Sequence, residues 1–209
     1  MPSKVATLVL SQVTFHDLAL IQGDIIAVDK GCELLLKSKL PIQCAVGDFD
    51  SISPRFLAQL QQQKVPLHKF PKQKDQSDAE LALDWSIQQG YDQIFIVGFS
   101  GGRLDHYQAI LHMLFRFQKP NVTLLTPQQS IQYLRQGNYV LDHEKTETYF
   151  SVLTLSQAVI SLQGSLYPLT EKTITVKDTF TLSNEWKDKK KVMLTVHSGE
   201  ILLYRTKLT

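Results

Sequence analysis

Cys44-Ala45-Val46-Gly47-Asp48-Phe49-Asp50-Ser51 is an apolar run that breaks into a glycine and two carboxylates, with Pro54, a residue suited to a first helical turn, close behind. Strand, acid-bearing turn and helix start are thus compressed into a dozen residues. The pattern recurs where residues 94–97 give way to Gly98-Phe99-Ser100-Gly101-Gly102-Arg103-Leu104-Asp105-His106, and Asp75-Gln76-Ser77-Asp78 opens a further helix.

Working outward, apolar runs at 5–10, 25–28, 45–46, 94–97 and 122–125 alternate with helical patterns at 32–39, 54–64, 78–89 and 104–118. This alternation predicts an α/β domain with a mainly parallel sheet. Ser77 and Glu80 form a capping box that places Asp78 in a first turn, and Gly90 marks the stop. Leu81, Ala82 and Trp85 continue a stripe from Asp78 that predicts the buried face. Beyond residue 128 the texture becomes alternating and β-branched, at 148–155, 159–162, 173–176 and 192–197, with Ser198-Gly199 read as a hairpin turn before 201–204. The expectation is a second, all-β sandwich domain, dividing the chain into 1–126 and 127–209.

With 209 residues, 43% of them apolar, and a net charge of +2, the chain can bury a real core. It has no basic stripe, so nucleic acid is not an expected partner, and Lys187 with the run Lys189-Lys190-Lys191 reads as a solvated turn. Cys32 and Cys44 lack zinc or redox spacing and read as buried free thiols. The run at 5–10 is too short for a signal segment and no later one spans a bilayer, so a cytoplasmic protein without membrane partners is expected.

Asp48 and Asp50 lie two apart, so on an extended segment both point to one side while Phe49 points into packing. Each acidic motif has an ordinary explanation taken singly: Asp50 or Ser51 can cap the helix at Pro54, the 75–78 segment can be capping chemistry, and Asp105 can stabilise a helix dipole. Together, Asp48, Asp50, Asp78 and Asp105 stand at turns that can converge on one sheet edge. Two carboxylates about 4 Å apart repel by roughly 4 kcal/mol at an effective dielectric near 20. Magnesium removes that repulsion and leaves coordination positions for phosphate, so the cluster predicts a nucleotide as much as a metal. The glycines near 101 bring backbone amides toward phosphate, and Arg103 adds a bidentate donor. Asp29 and Gly31, at another strand end, are a further phosphate or metal contact. The chain has no P-loop, no G-x-G-x-x-G fingerprint, no H-E-x-x-H pattern and no serine elbow.

In this order, G-D-F-D-S, K-D-Q-S-D-x-E-x-A-L and G-G-R-L-D-H resemble thiamine pyrophosphokinase, and the resemblance continues through residues 162–169, Ser183-Asn184-Glu185 and 198–203. It implies an α/β domain for magnesium ATP, a β-sandwich that helps bind thiamine, and a homodimer. The reaction it implies moves a diphosphoryl group from ATP to the thiamine hydroxyl, giving thiamine diphosphate and AMP. By the same resemblance, Asp48, Asp50 and Asp78 are metal and catalytic acids, and Arg103 and Asp105 orient polyphosphate. Asp29, Gly31, Lys74, Asp75, Gly101 and Gly102 join Arg103 around ATP. Ser183 and Asn184 contact thiamine, and Tyr167 and Trp186 each either offer an aromatic face for a ring or pack within the β-sandwich. The chain departs from the family pattern with Lys30 between Asp29 and Gly31 and with Ser77 in place of threonine. A thiamine or nucleotide sensor and a metal-dependent nucleotide hydrolase are the competing readings.

Overall fold

The computed structural model describes residues 3–71, 75–119 and 121–207, without the side chain of Lys189. It divides into two compact units, Met1–Met113 with Leu124–Thr126, and Leu114–Thr123 with Pro127–Thr209.

The first unit contains β1 (Val5–Val9), β2 (Asp24–Val28), α1 (Cys32–Lys37), β3 (Cys44–Gly47), α2 (Pro54–Gln62), β4 (Leu67–Lys69), α3 (Asp78–Gln88) and β5 (Gln93–Val97). The helix α4 (Leu104–Phe117) and the strand β6 (Val122–Leu125) run across the division. Strands pair in parallel in the order β5-β1-β2-β3-β4. Every residue of β3, and four of the five in each of β1, β2 and β5, is buried, as expected where helices cover both faces of a parallel sheet. Chain order runs outward from β1 through β2, β3 and β4, then returns to add β5 on the other side of β1. That reversal makes the carboxyl end of β1 a topological switch point, the place where open parallel sheets leave a crevice for ligands.

Helix α3 begins as its sequence predicts: Ser77 Oγ accepts from the Glu80 amide while the Glu80 carboxylate accepts from Ser77. Its buried stripe differs by one position from the expected one. Ala79, Ala82, Leu83 and Ser86 are buried, leaving Leu81 and Trp85 half-buried, because the small side chains at 79 and 82 permit a close approach to the sheet. Asp78 therefore sits at the margin of the packed face. Ser86 is accommodated by donating to the Ala82 carbonyl at 2.7 Å. Pro54 occupies the first turn of α2, again as expected.

The second unit contains β7 (Gln129–Leu141), β8 (Glu147–Leu153), β9 (Gln157–Gln163), β10 (Leu169–Thr175) and β11 (Val192–Lys207), all paired antiparallel. β11 is one strand of 16 residues, not the two arms of a hairpin. Ser198-Gly199 forms a bulge in it: the register with β7 shifts between Val196 and Glu200, and a Cβ on Gly199 would lie 2.2 Å from the Gln157 carbonyl. The bend lets the first half of β11 pair with β9 and its second half with β8. Leu134, Phe150, Ile160, Ile174, Trp186, Leu194 and Ile201 meet in the core this creates. The lysine run lies on an exposed turn, a 3-10 segment at Lys187–Lys189 that leads into β11.

Candidate active site

The carboxyl ends of β1, β2, β3 and β5 surround a cleft of about 560 Å³. Leu10, Ser11 and Gln12 enter from the turn after β1, Asp29 follows β2, Asp48 follows β3, and Gly98 and Phe99 follow β5. The first turn of α3 adds Ser77 and Asp78; the start of α4 adds Gly102, Arg103 and His106. Gly98 is required here. Its φ is +73°, and a Cβ would lie 2.6 Å from both the Leu10 carbonyl and the Val13 amide, so a larger residue would push the β1 and β5 turns apart.

Three carboxylates cluster at one end, Asp29 and Asp48 from the cleft lining and the exposed Asp50 outside it. Asp29, Asp48 and Asp50 each place an oxygen within 4.8 Å of the other two. The extended geometry expected for 48–50 is not how they meet: Phe49 adopts φ +60°, and the Asp50 amide donates to Asp48 Oδ1 at 2.9 Å. This turn still sends Phe49 into the core, where it is 8% exposed, and holds both acids outward. Asp29, itself at φ +47°, projects from the adjacent strand end. Asp29 replaces Asp78 in the expected trio; Asp78 stands on the wall of the same cleft.

Asp29 is a carboxylate held among like charges. Burial, reinforced by the charges of Asp78 and Asp48, raises its carboxyl above the ordinary range, although a hydrogen bond from Ser51 opposes the shift. Ser51 Oγ donates to Asp29 Oδ2. The other oxygen, Oδ1, is buried without a hydrogen-bond partner. At 4.8 Å and an effective dielectric near 20, each pair of charges in the trio repels by roughly 3–4 kcal/mol. An unpartnered buried oxygen among three hard oxygen donors fits a magnesium ion, which takes one or two carboxylates and leaves its other positions to water and phosphate.

Arg103 and Asp105 form a bidentate pair, Nε to Oδ1 at 3.1 Å and Nη2 to Oδ2 at 2.5 Å. The guanidinium holds the Asp105 carboxyl below the usual range. Both side chains are more than 60% exposed, so the pair contributes little stability and Arg103 can exchange partners readily. Arg103 lines the cleft and Asp105 does not. Gly31 is occupied by packing: it is buried, and a Cβ would lie 2.1 Å from the Val9 carbonyl. Asp75 and Gly101 are exposed and outside the cleft lining, and Lys74 lies outside the described residues.

The sequence reading missed Ser11, Gln12, Phe99 and His106 as lining residues. The signal for Ser11 and Gln12 is the strand-to-turn step after β1, the same grammar that exposes the acids. Phe99 and His106 lie inside motifs singled out for their neighbours.

In the second unit, Asn184 is 4% exposed and its amide is engaged throughout. Oδ1 accepts from the Tyr167 amide at 3.1 Å and the Glu185 amide at 2.9 Å, and Nδ2 donates to the Tyr167 carbonyl at 2.8 Å. Trp186 is 5% exposed, donates Nε1–H to the Leu141 carbonyl at 2.9 Å and packs edge-on against Phe150. It is a core residue rather than a stacking face, because its indole closes the space between β7, β8 and the 181–186 segment. Tyr167 is 61% exposed, and Ser183, at φ +54°, is also exposed, with its amide bonded to Ser151 Oγ. These two keep surfaces available to a ligand.

Residues 18–126 match the family model described as "Thiamin pyrophosphokinase, catalytic domain", and residues 138–201 match "Thiamin pyrophosphokinase, vitamin B1 binding domain". Over 165 residues the sequence is 35% identical to thiamine pyrophosphokinase of Bacillus subtilis (strain 168), covering 77% of each chain. The fold is similar to the crystal structure of a thiamin pyrophosphokinase family protein from Enterococcus faecalis, with a TM-score of 0.86 and 31% identity over 99% of this chain and 100% of that one. The Bacillus subtilis crystal structure gives a TM-score of 0.86 at 26% identity, covering 98% and 99%. With both family models matched in order and Asp29, Asp48 and Asp50 falling inside the catalytic match, the chain belongs to the thiamin pyrophosphokinase family.

Proposed function

We propose that the first unit binds magnesium ATP in its acidic cleft and transfers the diphosphoryl group to the hydroxyl of thiamine, giving thiamine diphosphate and AMP. The observation that carries the metal assignment is the buried, unpartnered Asp29 Oδ1 beside Asp48 and Asp50. Those three residues hold the ion in this reading. When bound, magnesium neutralises charge on the polyphosphate and on the transferring group.

The chain's own groups then have distinct tasks. Arg103 leaves its exposed pairing with Asp105 to grip phosphate oxygens, a planar fork suited to bidentate contact. Gly102 and the start of α4 present backbone amides and a positive helix end to the same oxygens. Leu10, Val28, Phe99 and Ile110 supply an apolar wall for the base. Asp78, half-buried and outside the trio, accepts the hydroxyl proton as the thiamine oxygen bonds to the β-phosphorus and the bridging oxygen departs with AMP. Positioning and charge neutralisation carry most of the rate enhancement.

On the second unit, the exposed ring of Tyr167 suits the cationic thiazolium, and the exposed Ser183 is its polar partner. A homodimer belongs to the same reading, supported by Leu166, Tyr167, Phe180 and Leu182, each 46–61% exposed. So does a reducing, cytoplasmic setting, supported by Cys32 and Cys44, both free and buried. Among the described residues no helix is long and apolar enough to cross a membrane.

Incubating the pure protein with magnesium ATP, with and without thiamine, tests the reaction. The expected result is AMP and thiamine diphosphate formed in equal amounts only when thiamine is present. Nucleotide breakdown without thiamine would mark a hydrolase, and binding without products a sensor.

A further inference from the structure

We infer that Ser51 is a positioning residue for the metal site: its hydroxyl holds the Asp29 carboxylate in one orientation toward the ion. This rests on the reading of Asp29, Asp48 and Asp50 as metal ligands. The two oxygens of Asp29 have different surroundings. Oδ2 accepts from Ser51 Oγ, whereas Oδ1 is buried and has no partner. A carboxylate on two rotatable bonds, at a half-buried position, otherwise divides its time between orientations that present either oxygen, or neither, to the cluster. Donation by Ser51 to Oδ2 holds the carboxylate in one orientation beside Asp48 and Asp50.

The geometry makes this coupling specific to the trio. Ser51 directly follows Asp50 and lies 22 residues from Asp29 in sequence, so one hydrogen bond ties the β3 turn carrying two of the acids to the β2 turn carrying the third. The backbone at Asp29 is already committed, with φ +47°, so the side-chain torsions are the freedom left to fix. Hydrogen bonds of this kind behind a ligand typically change metal affinity by about 10–100-fold. The position is exposed, so Ser51→Thr keeps the hydroxyl and has room for its methyl group, while Ser51→Ala removes the donor.

The test is a titration of the nucleotide-free protein with Mn²⁺, following free Mn²⁺ by its electron paramagnetic resonance signal. The wild type, Ser51→Ala, Ser51→Thr and Asp50→Asn are compared, and metal-free melting temperatures are measured for all four. Ser51→Ala is expected to weaken Mn²⁺ binding about 10-fold without lowering the metal-free melting temperature, and Ser51→Thr to restore it. Affinity unchanged in Ser51→Ala, or equally weakened in both Ser51 variants, overturns the positioning role. Mn²⁺ binding unchanged in Asp50→Asn overturns instead the assignment of the acids as the metal site, so the two failures are told apart.

Discussion

The acid turn of the first unit and the 181–186 segment of the second both carry short polar side chains outside regular strands and helices, and they reach opposite states. Around Asp48 and Asp50 the fold concentrates like charge and leaves a buried oxygen of Asp29 without a partner. Around Asn184 it does the reverse, engaging both ends of the amide with neighbouring backbone and closing the segment over Trp186. The difference separates residues that a fold uses from residues that it holds in readiness. A polar group whose hydrogen bonds are internally complete stabilises structure; one whose charge is uncompensated marks where a ligand completes it.

The contrast can be broken most forcefully at Trp186. Truncation to Ala removes a buried indole and its hydrogen bond, and is expected to cost about 3–5 kcal/mol in chemical denaturation. A raised KM for thiamine at unchanged stability would instead place Trp186 in the substrate site. Next in size is Asp50→Asn, which should reduce kcat by about 100-fold or more, with a metal-free melting temperature equal to or above that of the wild type because one repelling charge is gone. A steady kcat, or a lowered metal-free melting temperature, would make Asp50 a structural residue like Asn184.

Asn184→Ala sharpens the comparison from the other side. Loss of three internal hydrogen bonds at a buried position should destabilise the protein by about 2–3 kcal/mol, with the KM for thiamine unchanged in protein that remains folded. A KM effect without destabilisation would show that the amide faces the substrate. The smallest effect is expected at Asp105→Ala: the melting temperature should hold, since its pairing with Arg103 is exposed, while the KM for ATP shifts modestly as Arg103 loses its resting partner. A large loss of kcat would give Asp105 a direct part in the chemistry.

Much of the first unit was legible because a parallel sheet buried on both faces writes itself as continuous apolar runs, and because the capping box at Ser77 announces the start of α3. The acid cluster was legible as motifs but not as a constellation. Asp29 lies 19 residues before Asp48, and only the pairing of β2 with β3, together with left-handed backbone at 29 and 49, joins them. One misreading comes from a local signal overridden by tertiary packing. Ser198-Gly199 has the composition of a hairpin turn, yet here it serves a bulge in an unbroken strand. Trp186, open in sequence to either stacking or packing, is buried against Phe150. β7 left little trace, since its exposed and half-buried residues interrupt the alternation along much of its 13 residues.

The most direct measurement is anomalous diffraction from crystals grown with Mn²⁺ and a non-hydrolysable ATP analogue. A single strong peak bounded by carboxylate oxygens of Asp29, Asp48 and Asp50, with phosphate oxygens completing the coordination, is the predicted result. A peak elsewhere, or nucleotide seated in the cleft with no metal at those three acids, would contradict it.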